Sequence, residues 1–508
     1  MAIKRLLQGS AIRVVSLTLH ILSLLIILPL MVKHFGAEVY GLWSLIIALT
    51  NYWMLLDFGI TPTISRYIAR LKEKNDVSEI RGYFSSALTL SLIITILSLL
   101  LTLIGYLSLP YFYSGELLDI SRWLLLIVGV ELSFSIPMKM NMGVMRGYLL
   151  YDKLALFEIV RIFLRTVLFI LLLTNDYGVI AVAFTNAVVN WLWQGLAIVY
   201  VFRHMPAIHF DRKLISIQKI KELTKFSYFI FISNLTGLAR FNILPLVIGF
   251  FEGLVAVALL SVAMRLIEAF NNLILRIVGV FEPYFAQLST SQDKTPIANL
   301  YFRLTRATYF LGAIVVGNFF VIGDTFIVRW VGEDFRSSAD VLVLLGVAFF
   351  FYLASNPTTY VMRAINKHKR FAYIEVWEGL AITFLAIIIT PIWGLYGATI
   401  SLMIPLIIVS LGIKNRIVIN ELDMDLGSYF KRIGMEILIY FGYFLLIWWL
   451  VSDVSSQVNF GYLKILLLCC IDTLLLTAIM YFTLDQFEKS VLKTQFKKIL
   501  KKLPTAHR

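Results

Sequence analysis

The feature that most constrains this chain is a succession of long apolar runs separated by short connections. One helix needs about 20 apolar residues to cross the hydrocarbon layer of a bilayer. Backbone N–H and C=O groups find no water there, so a spanning run must satisfy them internally, as a helix does. Fourteen runs qualify: 10–34, 39–62, 83–109, 119–145, 154–174, 178–202, 225–250, 254–281, 301–322, 339–362, 371–390, 393–413, 433–452 and 460–483. Composition agrees, with 59% hydrophobic and 15% charged residues against about 45–50% and 25% in soluble proteins. The expected fold class is an all-α polytopic membrane protein of about 14 transmembrane helices.

The net charge of +14 does not point to nucleic acid, because the basic residues lie in the connections between apolar runs. Counted on alternate sides, one side holds 33 Lys and Arg, while the other holds only Lys33, Arg122, Arg329, Arg336 and Lys464. The richer side faces the cytoplasm by the positive-inside rule, which predicts that both termini are cytoplasmic. The outer connections are short, the longest being 323–340, and leave no room for a soluble domain of any size. That argues against membrane glycosyltransferases, ligases and polymerases and predicts a non-enzyme. No G-x-x-x-x-G-K-[ST] segment offers a nucleotide site. The two cysteines, Cys469 and Cys470, are helix neighbours about 100° apart and suggest neither a disulfide nor a metal site.

The segment from Pro29 to Lys74 reads as a hairpin, with a break at Phe35-Gly36 and a basic exit carrying Arg66, Arg70, Lys72 and Lys74. Further on, 144–158 and 361–375 match at Val144/Val361, Met145/Met362, Arg146/Arg363, Ala155/Ala372 and Glu158/Glu375, an offset of 217. Six spans fit between the copies, so both have the same orientation, as in parallel transporter repeats. The expected organisation is an N-lobe of spans 1–6 (1–202), a basic cytoplasmic linker (203–224), a C-lobe of spans 7–12 (225–413), two added spans (414–484) and a basic cytoplasmic tail (485–508). The linker and the tail each read as an amphipathic helix on the anionic inner leaflet.

Charges within spans carry the chemistry, since each costs about 2.5–3.5 kcal/mol at a helix centre on insertion scales unless it is paired or wet. Arg265, Glu268, Asn272 and Arg276 fall within about 80° on span 8. Arg240 shares a face of span 7 with Ser233 and Thr236, and Arg13 and His20 share one of span 1 with Ser16. Arginine suits a diphosphate, because its planar fork donates two parallel hydrogen bonds and stays charged. Arg240, Arg265, Arg276, Asn272, Arg13 and His20 are therefore the candidate substrate-binding residues. The plainer alternatives are internal pairing, such as Arg265 with Glu268, and snorkelling for Arg13 and Arg276. Coupling or gating candidates are Glu131 near mid-membrane in span 4, Glu268, Asp57, and the Glu158, Arg161 and Arg165 series of span 5. Glu158 and Arg161 are spaced for an intrahelical ion pair, with Glu378 the positional partner of Arg161 in the second repeat. Asp57, about 28 Å beyond Glu38, belongs at the cytoplasmic edge, in a helix-end or gating position. No catalytic or metal-ligating residue is expected.

The hairpin motifs FGAEVYGLWSL and LLDFGITPTISRYIAR, with fourteen spans in two halves, resemble the polysaccharide biosynthesis (O-antigen flippase, Wzx-type) family of the multidrug/oligosaccharidyl-lipid/polysaccharide (MOP, MATE-like) superfamily. The resemblance implies two pseudo-symmetric six-helix lobes around a central cavity and alternating access. It further implies transfer of undecaprenyl-diphosphate-linked oligosaccharide, an O-antigen, capsule or exopolysaccharide repeat unit, to the outer leaflet of a bacterial cytoplasmic (inner) membrane. The implied partners are that lipid-linked oligosaccharide, membrane lipids and other polysaccharide assembly proteins. No cofactor is expected, and a coupling ion, proton or sodium, stays open. Twelve spans are commoner in that family, and fourteen is similar to the lipid II flippases. A cation-coupled multidrug exporter would call for a cavity dominated by carboxylates, and a non-transporting scaffold would leave the charged seams unexplained.

Overall fold

The computed structural model describes residues 2–57, 59–74, 76–205, 208–367, 369–455, 461–483 and 489. All regular structure among them is helical. Nine stretches are long and apolar enough to cross a membrane. Two of these, Val15–Lys72 with 58 residues and Lys369–Glu421 with 53, far exceed one crossing of about 30 Å at 1.5 Å per residue. Each is broken at a glycine, Gly36 (φ 74°, ψ 171°) or Gly394 (φ 57°, ψ −135°). The helices Gly115–Met138, Tyr151–Thr174 and Ile217–Phe241 occupy the three remaining expected crossings. Each of the fourteen runs is thus helical where it is described, and the chain is an all-α, multi-pass membrane protein.

The repeat seen in sequence extends to the order of elements. In the first half a long helix breaks at Gly36, resumes to Thr50, and passes through the 3-10 turn Asn51–Asp57 into the short helix Ile60–Lys72. In the second half the chain breaks at Gly253 (φ 83°), continues to Val278, and passes through the 3-10 turn Gly279–Phe281 into Glu282–Leu288. Gly36 and Gly253 are 217 residues apart, and both hold a left-handed backbone that favours a residue without Cβ. The matched Val-Met-Arg segments do a common job. Met145 O accepts from Leu150 N, and Met362 O from Lys367 N. The intervening Leu149 (φ 60°) and Asn366 (φ 57°) are left-handed, so both short helices, Met140–Gly147 and Asn356–Ala364, end in the same αL cap.

By packing, the chain divides into two compact units. The first comprises Met1–Ala269, Trp330–Val341 and Lys369–Pro405. Here residues 225–269 and 369–405 group with the helices of the first half. Asn51 Nδ2 donates to Asn242 Oδ1 at 2.8 Å, Trp330 Nε1 to the Leu25 carbonyl at 2.8 Å, and Ser338 Oγ to the Leu259 carbonyl at 2.9 Å. Backbones also approach closely: a Cβ on Gly41 would lie 1.9 Å from the Leu254 carbonyl oxygen. Toward the end expected to face the cytoplasm, Ile60, Ile64 and Ile68 form a fully buried i, i+4, i+8 stripe against Met140, Val144 and Met145.

The linker departs from the membrane-surface helix expected of it. Its main chain is pinned to the helix Val77–Ser108: Asp211 N donates to Ser85 Oγ at 2.9 Å and Ser216 N to Ser86 Oγ at 3.1 Å. Lys219 pairs with Glu79 at 3.0 Å, and the Tyr83 hydroxyl donates to Glu222. From Ile217 the linker is already the helix that continues to Phe241, with Leu223 fully buried. Backbone N–H groups that need acceptors and a matching row of hydroxyls on a neighbouring helix explain the docking. The tail expected at 485–508 lies outside the described residues, apart from Lys489.

The second unit comprises Phe270–Arg329, Leu342–His368 and Leu406–Arg508. Spans 13 and 14 attach to it through buried polar contacts. Arg306, 6% exposed, donates from Nε to Glu436 and from Nη2 to the Thr483 carbonyl at 3.0 Å. Tyr301 Oη donates to Asn415 Oδ1 at 3.0 Å and meets the Tyr429 hydroxyl at 3.2 Å. The Tyr443 hydroxyl donates to Asp472 Oδ1 at 2.6 Å.

Candidate functional site

Three helices of the first unit bring charged side chains together: the long helix that carries His20, Tyr151–Thr174 and Gly253–Val278. Arg165, Arg161, Glu158 and Arg265 are the groups whose charge reaches His20. Each is held differently. Arg161 is fully committed, with Nε 3.1 Å from Glu158 Oε2, Nη2 2.5 Å from Oε1 and Nη1 3.0 Å from Asn190 Oδ1. Its guanidinium also stacks 4.6 Å from the Trp193 ring centroid. The i, i+3 ion pair expected on span 5 is thus formed.

Arg265 pairs once, Nη1 to Glu268 Oε2 at 3.1 Å, with the side chains 37% and 31% exposed. Behind it lies the buried Tyr40 phenol. Arg165 sits one turn beyond Arg161 and has no hydrogen bond or ion pair to another described residue. His20 is exposed. Three guanidinium groups face two carboxylates, so the cluster carries an excess positive charge, and Arg165 is the arginine of the three that makes no ion pair with a described residue. Arg265 lies 12 residues into its helix, about 18 Å from its start. At such a depth a charge costs about 2.5–3.5 kcal/mol or more unless it is paired or faces water, and the Glu268 pair meets that need for Arg265.

Arg240 is placed otherwise than the sequence suggests. It is 6% exposed and its Nε donates to Glu378 Oε1 at 3.0 Å, with Nη2 on the same oxygen. Glu378, 2% exposed, serves Arg240 and not its positional counterpart Arg161. A buried arginine needs such a counter-charge, and meeting it closes Arg240 to any ligand in this structure. Asn272 and Arg276 are exposed further along Gly253–Val278, in the second unit. The side chain of Arg13 lies outside the described residues, as do those of Ser233 and Thr236.

Glu131, 4% exposed, accepts from Ser135 Oγ at 3.0 Å, and Ser135 Oγ accepts in turn from Gln194 Nε2 at 2.8 Å. It belongs to a buried hydrogen-bonded chain and makes no ion pair among the described residues. Asp57 ends the 3-10 turn Asn51–Asp57, and its Oδ1 has no hydrogen-bond partner among the described residues. Asn190, Trp193, Tyr40 and the role of Glu378 escape a sequence reading, because each acts across helices and no local spacing marks it.

The sequence pattern of a family described as polysaccharide biosynthesis protein matches residues 6–289. The uncharacterized membrane protein EpsK of Bacillus subtilis (strain 168) is 21% identical over 393 residues, covering 75% of this chain and 76% of its own length. The fold is similar to that of the lipid II flippase MurJ in an inward closed conformation, with a TM-score of 0.73 and 16% identity over 93% of this chain and 98% of that one. It is also similar to an inward-facing multidrug resistance MATE family transporter of the MOP superfamily, with a TM-score of 0.71 and 15% identity over 80% and 95%. These likenesses show the fold of MOP-superfamily transporters and flippases, and the family pattern covers more than half of the sequence: the chain belongs to the polysaccharide biosynthesis protein family.

Proposed function

We propose that this protein is a flippase for a polyprenyl-diphosphate-linked oligosaccharide, a saccharide repeat unit carried from the cytoplasmic to the outer leaflet of a bacterial cytoplasmic membrane by alternating access. The observation that carries this reading is Arg165, an arginine in an apolar helix that makes no ion pair with any described residue, beside Arg265, whose one carboxylate partner is Glu268. A diphosphate supplies what that pair lacks: two adjacent anionic groups, each able to accept two parallel hydrogen bonds from a guanidinium. The excess positive charge disfavours a cationic cargo at this face and so speaks against a drug exporter selecting cations. Orientation follows the basic connections, with both termini cytoplasmic.

The mechanism asks little chemistry of the protein. Arg161, held by Glu158, Asn190 and Trp193, stiffens the helix that presents Arg165. Glu268 keeps Arg265 extended over Tyr40 and can yield it to a stronger anion. The Arg240–Glu378 pair neutralises a second arginine within the same unit. No bond is made or broken in the cargo, and the work is desolvation and recognition of the headgroup.

Binding tests this reading. Purified protein should prefer a polyprenyl-diphosphate oligosaccharide over the same polyprenyl chain without phosphate. Arg165→Ala should weaken diphosphate binding by about ten- to a hundredfold, the range for losing a hydrogen bond to a charged group, and leave the weak binding of the neutral lipid unchanged. Equal affinity for charged and neutral lipids in the unsubstituted protein would refute the headgroup assignment.

A further inference from the structure

The second unit contains an ionisable side chain that the cationic cluster does not use. Asp472 lies in the helix Tyr462–Thr483, ten residues from one end and eleven from the other, about 15 Å from each. It is 3% exposed. Oδ1 accepts from the Tyr443 hydroxyl at 2.6 Å, while Oδ2 has no hydrogen-bond partner among the described residues. The helix Thr295–Val331 meets the carboxyl at Gly317, where an added Cβ would fall 3.0 Å from Oδ2 and 2.9 Å from Leu476 Cδ1. A phenol, a glycine and a leucine border it among the described residues, with the Cys469 thiol one turn away on its own helix. No charged side chain acts on it among the described residues.

The three other well-buried carboxylates among the described residues differ. Glu378 and Glu436 each meet an arginine, and Glu131 lies in a chain of hydroxyl and amide groups. An ionised Asp472 would stand in a dry site with one hydrogen bond and no counter-charge, a costly arrangement. A neutral carboxyl costs less there: Oδ1 still accepts from Tyr443, and Oδ2, which has no hydrogen-bond donor among the described residues, carries no charge that needs one. A sodium ion does not fit, because one carboxylate and one phenol fall well short of the oxygen shell that a hard cation takes. Ionisable residues within membrane spans are rare and costly, and proton relays are one of the functions they mark.

We propose that Asp472 is a proton-binding site, in which Oδ2 carries the proton and Tyr443 holds the carboxyl in place. Three helices cover the carboxyl, so its proton exchanges with water only when the contact among Thr295–Val331, Leu426–Ser455 and Tyr462–Thr483 loosens. Proton occupancy and that loosening are then linked, since whichever arrangement exposes the carboxylate to water is favoured by proton loss. The site rests on its own geometry and is independent of which cargo the protein carries.

Infrared difference spectroscopy on full-length protein in lipid vesicles, stepped between about pH 5 and pH 9, where buried acids titrate, reads this site without any transport assay. The expected result is a protonated-carboxyl band that appears at low pH, disappears at high pH and is lost in Asp472→Asn. The amide of that variant still accepts from Tyr443, so the fold is retained. Tyr443→Phe, which removes one hydroxyl from an otherwise intact site, should keep the band and shift its frequency. A band at Asp472 that does not change with pH, or a set of titrating bands identical in the protein and in Asp472→Asn, would overturn the proposal, and either result would leave the flippase reading standing.

Discussion

Arg240 and Arg165 are both arginines in apolar helices of one unit, and the difference between them lies in the partner. Glu378 takes up Arg240 in a buried pair, so removing either member strands the other. Glu378→Ala should destabilise the protein by about 3–5 kcal/mol, the cost of leaving a buried charge uncompensated, read as a loss of thermal stability in detergent. Arg240→Met with Glu378→Leu should recover most of that loss. Arg165→Ala should leave thermal stability nearly unchanged, because no ion pair is broken. Arg165→Lys should keep the charge and lose the fork, so that it binds diphosphate less well than arginine does. Glu131→Gln retains an acceptor for Ser135 and should fold normally; a coupling role for Glu131 predicts that the variant loses its dependence on an imposed ion gradient.

At the scale of elements, the breaks between helices were legible and the contacts across them were not. Phe35-Gly36 ends an apolar run at a residue tolerant of positive φ, and Val-Met-Arg recurs where both short helices are capped. The close approach of Gly41 to Leu254 has no such local mark, because it depends on two helices 213 residues apart in sequence. Gly41→Val should therefore sharply lower the yield of folded protein, while Gly195→Ala, where an added Cβ meets nothing within 4 Å, should be silent. The docking of the linker is hidden for a similar reason. Its basic, amphipathic composition suits a membrane surface, but Ser85 and Ser86 offer its backbone acceptors that composition does not reveal. Ser85→Ala with Ser86→Ala should speed proteolysis within 208–216 and leave the helices on either side intact.

For the molecule as a whole, the alternation of apolar runs and basic connections carries the fold class, because hydrocarbon leaves the backbone few choices. The site was only half legible. Spacing placed Glu158 beside Arg161 and Glu268 beside Arg265, and it flagged Arg165 without showing that no described residue forms an ion pair with it. Pairing across helices decides which cation is free, and that information exists only in three dimensions. The most direct measurement is flipping itself, in vesicles reconstituted with pure protein and a labelled polyprenyl-diphosphate oligosaccharide, with a membrane-impermeant reagent reporting on the far leaflet. The expected result is that the label becomes accessible with the intact protein, and that Arg165→Ala with Arg265→Ala lowers the rate to near that of protein-free vesicles. Equal rates for that double variant and the intact protein would contradict an arginine-held headgroup as the basis of transport.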